Sequence, residues 1–447
     1  MDPTSGPPKA TSNVHCAANY SAQCFLESTP VNPTLTSNPF SALIESVSKR
    51  PGDDPIFTLN AEANRRAARG ESIVNATLGA LISDEGHLVV PPSVQEAYAR
   101  VPFEMSSGYA PIAGPPTFLK AVIQDTFGDG SLAEASTAVA TAGGTGAILH
   151  AITTFLDVGQ TLLTSDYHWA PYRVIASHTR RAVETFQMFD EKGNFNLRSF
   201  EESLVAQLAR QGRSLIILNF PCHNPTGYTL TGAEWKELTE IIERHGQKAP
   251  VAVLFDIAYA KFGAPGSEHW VERLGGLASS AQILVAWSAS KSFAQYGARI
   301  GALIAIQHDE AERTKIFNAL SYACRSTWSN CNHRGMLAMT KMLTEPDLKL
   351  TYANEFKGLV DLLNQRVAKF NEVTAGLDLF YPRYEGGFFV TVFTPNAQIT
   401  ADKMRELGVF VVPFDGAVRL ALCAISEANI PRLVEALHSG VRAAQEA

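Results

Sequence analysis

The sequence has few cysteines and little charge, and it lacks long apolar runs. Its 447 residues include six cysteines without CxxC spacing, which argues against a zinc site and a disulfide framework. Only 18% of the residues are charged and the formal net charge is −7, so we expect neither nucleic acid nor an anionic membrane as a partner. No apolar run reaches the roughly 18 residues of a membrane span. We therefore expect small-molecule partners, no metal, no export signal and a cytoplasmic location.

Apolar residues are plentiful, at 46% of the chain, which suits a large α/β protein with an ample core. Residues 1–38 differ from the rest, because they are rich in Pro, Ser, Thr and Asn and show no periodicity. We predict a flexible N-terminal arm there. The alternative is an arm that wraps a partner subunit through Phe25, Leu26 and Phe40.

Short apolar runs alternate with helical patterns from residue 137 to residue 306. These runs are residues 137–141, 161–164, 215–220, 251–255, 283–287 and 300–306. Such alternation predicts a mostly parallel, doubly wound sheet with right-handed crossovers. We assign residues 89–346 to this large domain, and residues 39–88 together with 347–447 to a smaller α+β domain.

Lys291 stands just after the apolar run 283–287, where the sequence changes to small polar residues. No acid lies near it in sequence, so removal from water without a salt-bridge partner would favour its neutral amine. A neutral lysine amine can form a Schiff base with an aldehyde. The alternative is a surface lysine in a loop between strands, and other residues must decide between the two.

Polar residues and glycines end other apolar runs. Residues 143–146 (Gly-Gly-Thr-Gly) open a helix, where main-chain N–H groups would face an anion, although a plain tight turn explains the motif equally well. Residues 224–227 (Asn-Pro-Thr-Gly) form a turn at a strand end, where open α/β sheets bind ligands. Asp256 closes the run 251–255, so it either caps a helix or faces a bound cation.

The identity of these motifs and their order along the chain resemble those of the fold-type I pyridoxal-phosphate enzymes. The likeness is greatest to the aspartate and aromatic amino acid aminotransferases. The resemblance covers about residues 40–440. The matching positions are residues 143–146, Trp169, residues 223–227, Asp256, Tyr259, Ser288, Lys291, Tyr296, Arg299 and Arg419.

The resemblance implies that this chain binds pyridoxal 5'-phosphate. Lys291 would hold the cofactor aldehyde and later move the substrate proton. Asp256 would keep the pyridine nitrogen protonated, so that the ring accepts electrons. The other cofactor-binding residues would be Tyr259 and Asn224 at the phenolic oxygen, Trp169 on the ring face, and Gly144, Thr145, Ser288 and Arg299 around the phosphate.

The resemblance also implies substrate contacts. Arg419 corresponds to the family arginine for the substrate α-carboxylate, and it interrupts an apolar run in which an unpaired guanidinium would be costly. A core salt bridge is the alternative for Arg419. Gly79 and Asn224 would complete the substrate-binding residues within the subunit.

Two further positions imply a homodimer with shared active sites. Tyr109 resembles the family tyrosine that reaches the phosphate bound by the other subunit. Arg325 falls at the position of the family arginine that crosses the interface and binds a side-chain carboxylate. The alternative for Arg325 is an ordinary arginine on a helix face or an interface.

The sequence departs from the aspartate aminotransferase pattern at two positions. The family commonly has histidines where this chain has Tyr172 and Asn219. Both residues would lie behind Asp256, so substrate class and reaction type are less firmly implied than the cofactor.

The implied function is a ping-pong aminotransferase that works between an L-amino acid, either Asp/Glu or aromatic, and a 2-oxo acid such as 2-oxoglutarate. A lyase or decarboxylase on the same fold is one alternative, and a non-catalytic pyridoxal-phosphate sensor is another. A nicotinamide dehydrogenase is disfavoured because residues 143–146 do not supply the GxGxxG fingerprint.

Overall fold

The computed structural model describes residues 41–52, 54–267 and 270–447. The fold separates into two units, Met1–Gly52 and Asp53–Ala447. The described part of the first unit contains a short helix, α1 (Glu45–Ser48). The predicted arm, together with Phe25, Leu26 and Phe40, lies outside the described residues.

The strands of the second unit form a seven-stranded sheet and two smaller ones in the described residues. They are β1 (Val74–Asn75), β2 (Ser136–Ala142), β3 (Thr161–Ser165), β4 (Ala182–Phe186), β5 (Ser214–Leu218), β6 (Val251–Asp256), β7 (Gln282–Ser288), β8 (Ile300–Ile306), β9 (Phe389–Phe393), β10 (Val409–Phe410), β11 (Val412–Phe414) and β12 (Ala417–Ala421).

Helices connect most of these strands. They are α2 (Pro55–Ala68), α3 (Pro92–Ala99), α4 (Phe103–Ser107), α5 (Pro116–Phe127), α6 (Ser131–Glu134), α7 (Gly143–Phe155), α8 (Pro171–His178), α9 (Leu197–Gln211), α10 (Gly232–Gly246), α11 (Trp270–Leu277), α12 (Ala289–Ser292), α13 (Glu310–Thr327), α14 (His333–Thr344), α15 (Pro346–Thr374), α16 (Ala397–Glu406) and α17 (Ile430–Glu446). No helix in the described ranges is both long and apolar enough to cross a membrane.

The seven-stranded sheet has the order β2-β8-β7-β6-β5-β3-β4. The five strands from β7 to β4 in this order are parallel, whereas β8 is antiparallel to both β7 and β2. This confirms the prediction of a mostly parallel, doubly wound sheet. Strand β8 reverses direction because only the short segment 289–299 joins it to β7, and a parallel crossover needs a longer connection.

Helices cover both faces of this sheet, and side chains alternate between the two faces. On one face, Val253 and Phe255 of β6 belong to a core with helices α3, α5, α9, α10, α11 and α14. On the other face, Leu254 packs in a core with helices α7, α8 and α13. Asp256 continues the alternation of Leu254, so its side chain emerges on the face of α8.

A third core surrounds the three-stranded antiparallel sheet, which has the order β11-β12-β9. Helices α15, α16 and α17 contribute to this core, and β1 pairs with β10 beside it. Residues from before β2 and from after α14 are thus combined here. Cys222, Tyr259 and Phe262, from the predicted large domain, also belong to this core, and the predicted division into two domains stays a prediction.

Gly301 in β8 should not tolerate a side chain, because a Cβ there would lie 2.4 Å from the main-chain carbon of Gly143. We expect Gly301→Ala to destabilise the fold by about 1–3 kcal/mol, as overpacking does. The exposed Gly358 in α15 has open space around it, so Gly358→Ala should stabilise by up to about 1 kcal/mol. Thermal unfolding of both variants would measure this, and shifts of the same sign would contradict it.

Candidate functional site

The carboxyl ends of β6 and β7 lie side by side and carry two of the predicted site residues. The parallel register places Asp256 opposite Ala286. Lys291 follows β7 in the short helix α12, which begins where Ser288 accepts a hydrogen bond from the Ser290 N–H at 3.1 Å. The sheet therefore brings Asp256 and Lys291 to one edge.

The Lys291 ammonium lies among aromatic rings. Its Nζ is 4.9 Å from the ring centre of Tyr296 and 5.7 Å from that of Tyr259. It donates to the Gly79 carbonyl oxygen at 3.3 Å. Burial lowers the pKa of the Lys291 amine to about 8, so a substantial neutral fraction exists near neutral pH.

Asp256 is buried and receives several hydrogen bonds. Its Oδ2 accepts from the Tyr172 hydroxyl at 2.7 Å, and its Oδ1 accepts from the Ala258 N–H at 3.3 Å. The amide of Asn219 donates to the Asp256 main-chain oxygen at 2.8 Å. Burial raises the pKa of the Asp256 carboxyl, while the Tyr172 hydrogen bond, the Ala258 hydrogen bond and the Lys291 charge oppose that rise.

Asn224 links the sheet edge to the smaller sheet. Its Nδ2 donates to the Tyr259 hydroxyl at 3.4 Å, and its Oδ1 accepts from Arg419 at 3.4 Å. The Asn219 side chain accepts from the Asn224 N–H at 2.7 Å, which fixes the start of the Asn-Pro-Thr-Gly turn. Four of these side chains, Asn219, Asn224, Tyr259 and Arg419, are at least nine-tenths buried.

Arg419 reaches this group from β12. Its guanidinium donates to the Thr77 carbonyl at 2.6 Å and lies 4.4 Å from the ring centre of Phe389. Among the described residues, its buried Nε has no hydrogen-bond partner. The guanidinium thus has no carboxylate partner in the described salt bridges, which disfavours the alternative of a core salt bridge.

Arg299 stands beside the first turn of α7. Its guanidinium donates to the Thr145 hydroxyl at 3.3 Å and to the Ser290 hydroxyl at 3.2 Å. Gly143 permits this approach, because a Cβ there would lie 2.5 Å from Arg299 Nη2. Ser288 is also close, since a Cβ on Gly144 would lie 3.5 Å from the Ser288 Cβ.

These groups form a candidate anion-binding cluster, because a guanidinium, hydroxyls and the N-terminus of α7 lie together and each can interact favourably with an anion. The structure thus brings together the four residues that the sequence assigns to a phosphate, namely Gly144, Thr145, Ser288 and Arg299.

Gly79 and Trp169 lie at the borders of the site. A Cβ on Gly79 would meet the Phe389 ring at 2.4 Å, so the ring packs on bare main chain there. Trp169 is half-buried and meets Tyr172 edge-on, with ring centres 5.5 Å apart. Tyr172 therefore touches Trp169 on one side and Asp256 on the other.

The structure leaves Tyr109 and Arg325 on the surface. Tyr109 is 94% exposed, so it does not pack into the buried cluster of its own subunit. Arg325 is exposed at the end of α13, where it donates to the Ser329 hydroxyl at 2.5 Å. Their predicted roles across a dimer interface stay predictions.

Several residues near the site were not assigned a role from the sequence. Ser290 binds Arg299, and the Tyr296 hydroxyl accepts from the Leu81 N–H at 2.9 Å. Thr77 and Phe389 contact Arg419. Ser290 stands next to Lys291 in the sequence, and Tyr296 was part of the family pattern. No sequence signal marks Thr77 and Phe389, because their contacts with Arg419 arise from packing between segments that are separate in the sequence.

A comparison with protein families gives one match, to the family described as aminotransferase class I and II, over residues 72–437. The aromatic-amino-acid aminotransferase of Paracoccus denitrificans is 28% identical over 393 residues, which are 86% of this chain and 96% of that protein. The aspartate aminotransferase of Pseudomonas aeruginosa is 27% identical over 400 residues, with the same coverage of both chains.

A comparison with solved structures also finds aminotransferases. An aminotransferase from Anaerococcus prevotii superposes with a TM-score of 0.86 at 29% sequence identity. The match covers 90% of this chain and 100% of that one. The similarity therefore extends over nearly the whole of unit Asp53–Ala447 and is not confined to the motifs.

The lowered pKa of Lys291 can be measured in the cofactor-free protein. Acylation by a small reagent requires the neutral amine, so the Lys291 rate should rise through about pH 8 and level off above it. The matched control is the exposed Lys315, whose pKa is raised by its hydrogen bond to Glu312, so its rate should keep rising at higher pH. Mass spectrometry would follow both sites, and identical profiles would contradict the assignment.

Proposed function

Because this chain belongs to the class I and II aminotransferases, we propose that it exchanges an amino group between an L-amino acid and a 2-oxo acid at the edge of β6 and β7. The family is pyridoxal-phosphate dependent, and so is this chain. The observation that carries the proposed site is the convergence of three side chains: Lys291 just after β7, Asp256 at the end of β6 and Arg419 in the middle of β12. They lie close enough for the charges of Asp256 and Arg419 to act on the Lys291 amine.

The side chains of this cluster suit pyridoxal phosphate in their chemistry. A neutral lysine amine matches the aldehyde, and a buried carboxylate matches the pyridinium nitrogen. The Tyr259 hydroxyl and the Asn224 amide are hydrogen-bonding groups that match a phenolate oxygen. Arg299 and the hydroxyls of Thr145 and Ser290 match a phosphate. The residues present therefore fit the cofactor.

When bound, the cofactor supplies an electron sink for the charge that develops at the substrate Cα. The chain supplies the acid and the base. Lys291 takes the Cα proton as a neutral amine and returns a proton as an ammonium. Its pKa of about 8 suits both tasks near neutral pH, because neither protonation state is rare.

Asp256, when ionised, would favour a proton on the ring nitrogen. Its hydrogen bonds and the nearby Lys291 charge favour the ionised form against the effect of burial. Tyr259, whose hydroxyl accepts a hydrogen bond from Asn224, would donate its own proton in a hydrogen bond to the phenolic oxygen of the ring. Trp169 would cover the ring face and exclude water from it.

Arg419 binds the substrate α-carboxylate. Its guanidinium is buried and positioned by Thr77 and Asn224, and its Nε has no partner among the described residues. An incoming carboxylate would neutralise this buried cation, which gives substrate binding a strong electrostatic component. Asn224 contacts both Arg419 and Tyr259, so it couples the substrate side to the cofactor side.

The active enzyme is a homodimer in this proposal. Tyr109 and Arg325 are exposed in the single chain, as residues that act in a partner's site must be. Phe103 and Met105, 73% and 56% exposed, lie close to Tyr109 in sequence and provide apolar area for the contact. We place Tyr109 at the partner's phosphate and Arg325 at the partner's substrate.

The substrates proposed are aspartate, glutamate and aromatic amino acids, with 2-oxoglutarate as the acceptor. The names of the relatives from Paracoccus and Pseudomonas support both donor classes. An exposed Arg325 that pairs with Ser329 can bind a dicarboxylate and can also turn away from an aromatic ring.

The proposal also covers the domain boundaries and the location of the protein. In the proposal, residues 89–346 form the cofactor domain and residues 39–88 with 347–447 the smaller one. Residues of the smaller one make up most of the core around β9 and β12, which supports this division. The location is the cytoplasm, which suits the free cysteines Cys222, Cys324, Cys331 and Cys423.

Lys291→Ala tests the function directly. Untreated wild-type protein should convert aspartate and 2-oxoglutarate to oxaloacetate and glutamate, and a separate wild-type sample reduced with borohydride should carry the cofactor mass on the Lys291 peptide. The variant should carry no label at this position and lose nearly all turnover, because it lacks the acid–base group. The exposed Lys315→Ala is the control and should behave as wild type. Turnover retained by Lys291→Ala would remove this lysine from the mechanism.

Arg325→Leu tests the second-carboxylate role. If Arg325 pairs with the side-chain carboxylate, kcat/KM for aspartate should fall by about 10- to 100-fold, the effect of losing a hydrogen bond to a charged group. The value for phenylalanine should change by less than about threefold, because its side chain offers no charge. Arg442→Leu, at an exposed site in α17, controls for the lost charge. Equal losses for both substrates would count against this role.

A further inference from the structure

The chain supports Asp256 through neutral side chains. Tyr172 donates to the carboxylate at 2.7 Å, and Asn219 donates to the main-chain oxygen of the same residue at 2.8 Å. Both are almost fully buried, with exposures of 1% and 3%. Neither side chain carries a charge, so the support that they give Asp256 comes from hydrogen bonding, and the Lys291 charge adds to it.

The position of Tyr172 is fixed by packing. Its ring lies in the core between the sheet and helices α7 and α8, and it meets Trp169 edge-on. The phenol is driven toward its neutral form, because burial and the Asp256 charge raise the pKa of Tyr172 well above its ordinary value. The hydroxyl therefore keeps its proton throughout the physiological range and acts as a permanent donor.

Other titratable groups face this pair from the neighbouring elements. They are Lys291 from α12, Tyr259 after β6, and His168 before α8. His168 stacks on the Tyr172 ring at 6.2 Å, but its Nδ1 lies 2.9 Å from the Ser165 carbonyl and 3.0 Å from the Asp166 carbonyl. The direct side-chain hydrogen bond to the Asp256 carboxylate therefore comes from Tyr172 and not from this histidine.

We infer that Tyr172 is a positioning residue, which holds Asp256 oriented and ionised for the cofactor through one hydrogen bond from a neutral phenol. The inference rests on the proposed function, because it takes Asp256 as the partner of the ring nitrogen. A histidine in this place would change its charge near neutral pH, whereas the phenol does not. The hydrogen bond from Tyr172 to Asp256 therefore stays the same across the pH range in which a histidine would gain or lose a proton.

Tyr172→Phe removes the hydroxyl and keeps the ring. Cofactor should bind about 10- to 100-fold more weakly to the cofactor-free variant, the effect of losing a hydrogen bond to a charged group. Losing this bond also raises the pKa of Asp256, so the decline of affinity on acidification should begin at a higher pH than in wild type. Titration with pyridoxal phosphate, followed by quenching of tryptophan fluorescence, measures both effects without turnover.

Tyr228→Phe is the matched control. The Tyr228 hydroxyl is also held in the core and also donates to a carboxylate, Glu234, at 2.6 Å. That carboxylate caps α10 and is not part of the proposed site. Tyr228→Phe should therefore lower the melting temperature without changing the affinity for cofactor or its pH profile.

A double-mutant cycle separates positioning from general damage. In an Asp256→Asn background there is no carboxylate to ionise, so adding Tyr172→Phe should weaken cofactor binding by less than about threefold. The same 10- to 100-fold loss in both backgrounds would overturn the inference, and so would an unchanged pH profile in Tyr172→Phe.

If Tyr172→Phe does not fold, 3-fluorotyrosine incorporated at position 172 provides a second test. It keeps the shape of the residue and makes the hydroxyl a stronger donor, so the decline of affinity should shift to lower pH. An unshifted decline would overturn the inference. Wild-type protein that binds no pyridoxal phosphate would overturn the proposed function itself, whereas normal binding and turnover in wild type with no effect at Tyr172 would overturn only this inference.

Discussion

Three charged side chains held out of bulk water at one place are the constraint on which the rest of the site depends. Burial lowers the pKa of Lys291 and Arg419 and raises that of Asp256, so each group is pushed toward its neutral form. Removing these charges from water costs free energy, and the hydrogen bonds from Tyr172 to Asp256 and from Arg419 to Thr77 offset only part of that cost. A cationic ring nitrogen beside Asp256 and a substrate carboxylate beside Arg419 would offset the rest of this cost. The same arrangement therefore favours both ligand binding and acid–base chemistry.

Motifs that follow a strand could be placed from the sequence alone. Lys291, Asp256 and Asn224 each come after a buried apolar run, and carboxyl ends of adjacent parallel strands share an edge. The contact between Asn224 and Arg419 could not be derived in this way, because β12 belongs to another sheet and its approach depends on packing. Only the family resemblance gave Arg419 its place.

Other features left a weak signal or none. Strand β4 was not predicted, because this edge strand is half-exposed and carries Glu184 within a short run. The composition of β8 does not show its direction, since parallel and antiparallel strands in a covered sheet have the same composition. The signal was the short connection 289–299, which the prediction of right-handed crossovers did not take into account. Tyr172 was noticed as a departure from the family pattern, but only the structure shows its hydroxyl 2.7 Å from Asp256.

The reversed strand β8 connects the lysine to the anion-binding cluster. After Lys291 the chain turns at Arg299, whose φ of 54° is left-handed, and then runs back along β7 as β8. Strand β8 also pairs with β2, in a register that places Gly301 opposite Thr141, two residues before Gly143. Because Gly301 and Gly143 lack side chains, the main chains approach closely and the Arg299 guanidinium reaches the start of α7. A parallel β8 would begin at the far edge of the sheet, so the antiparallel pairing is what places the arginine and the lysine within one short segment of the same edge.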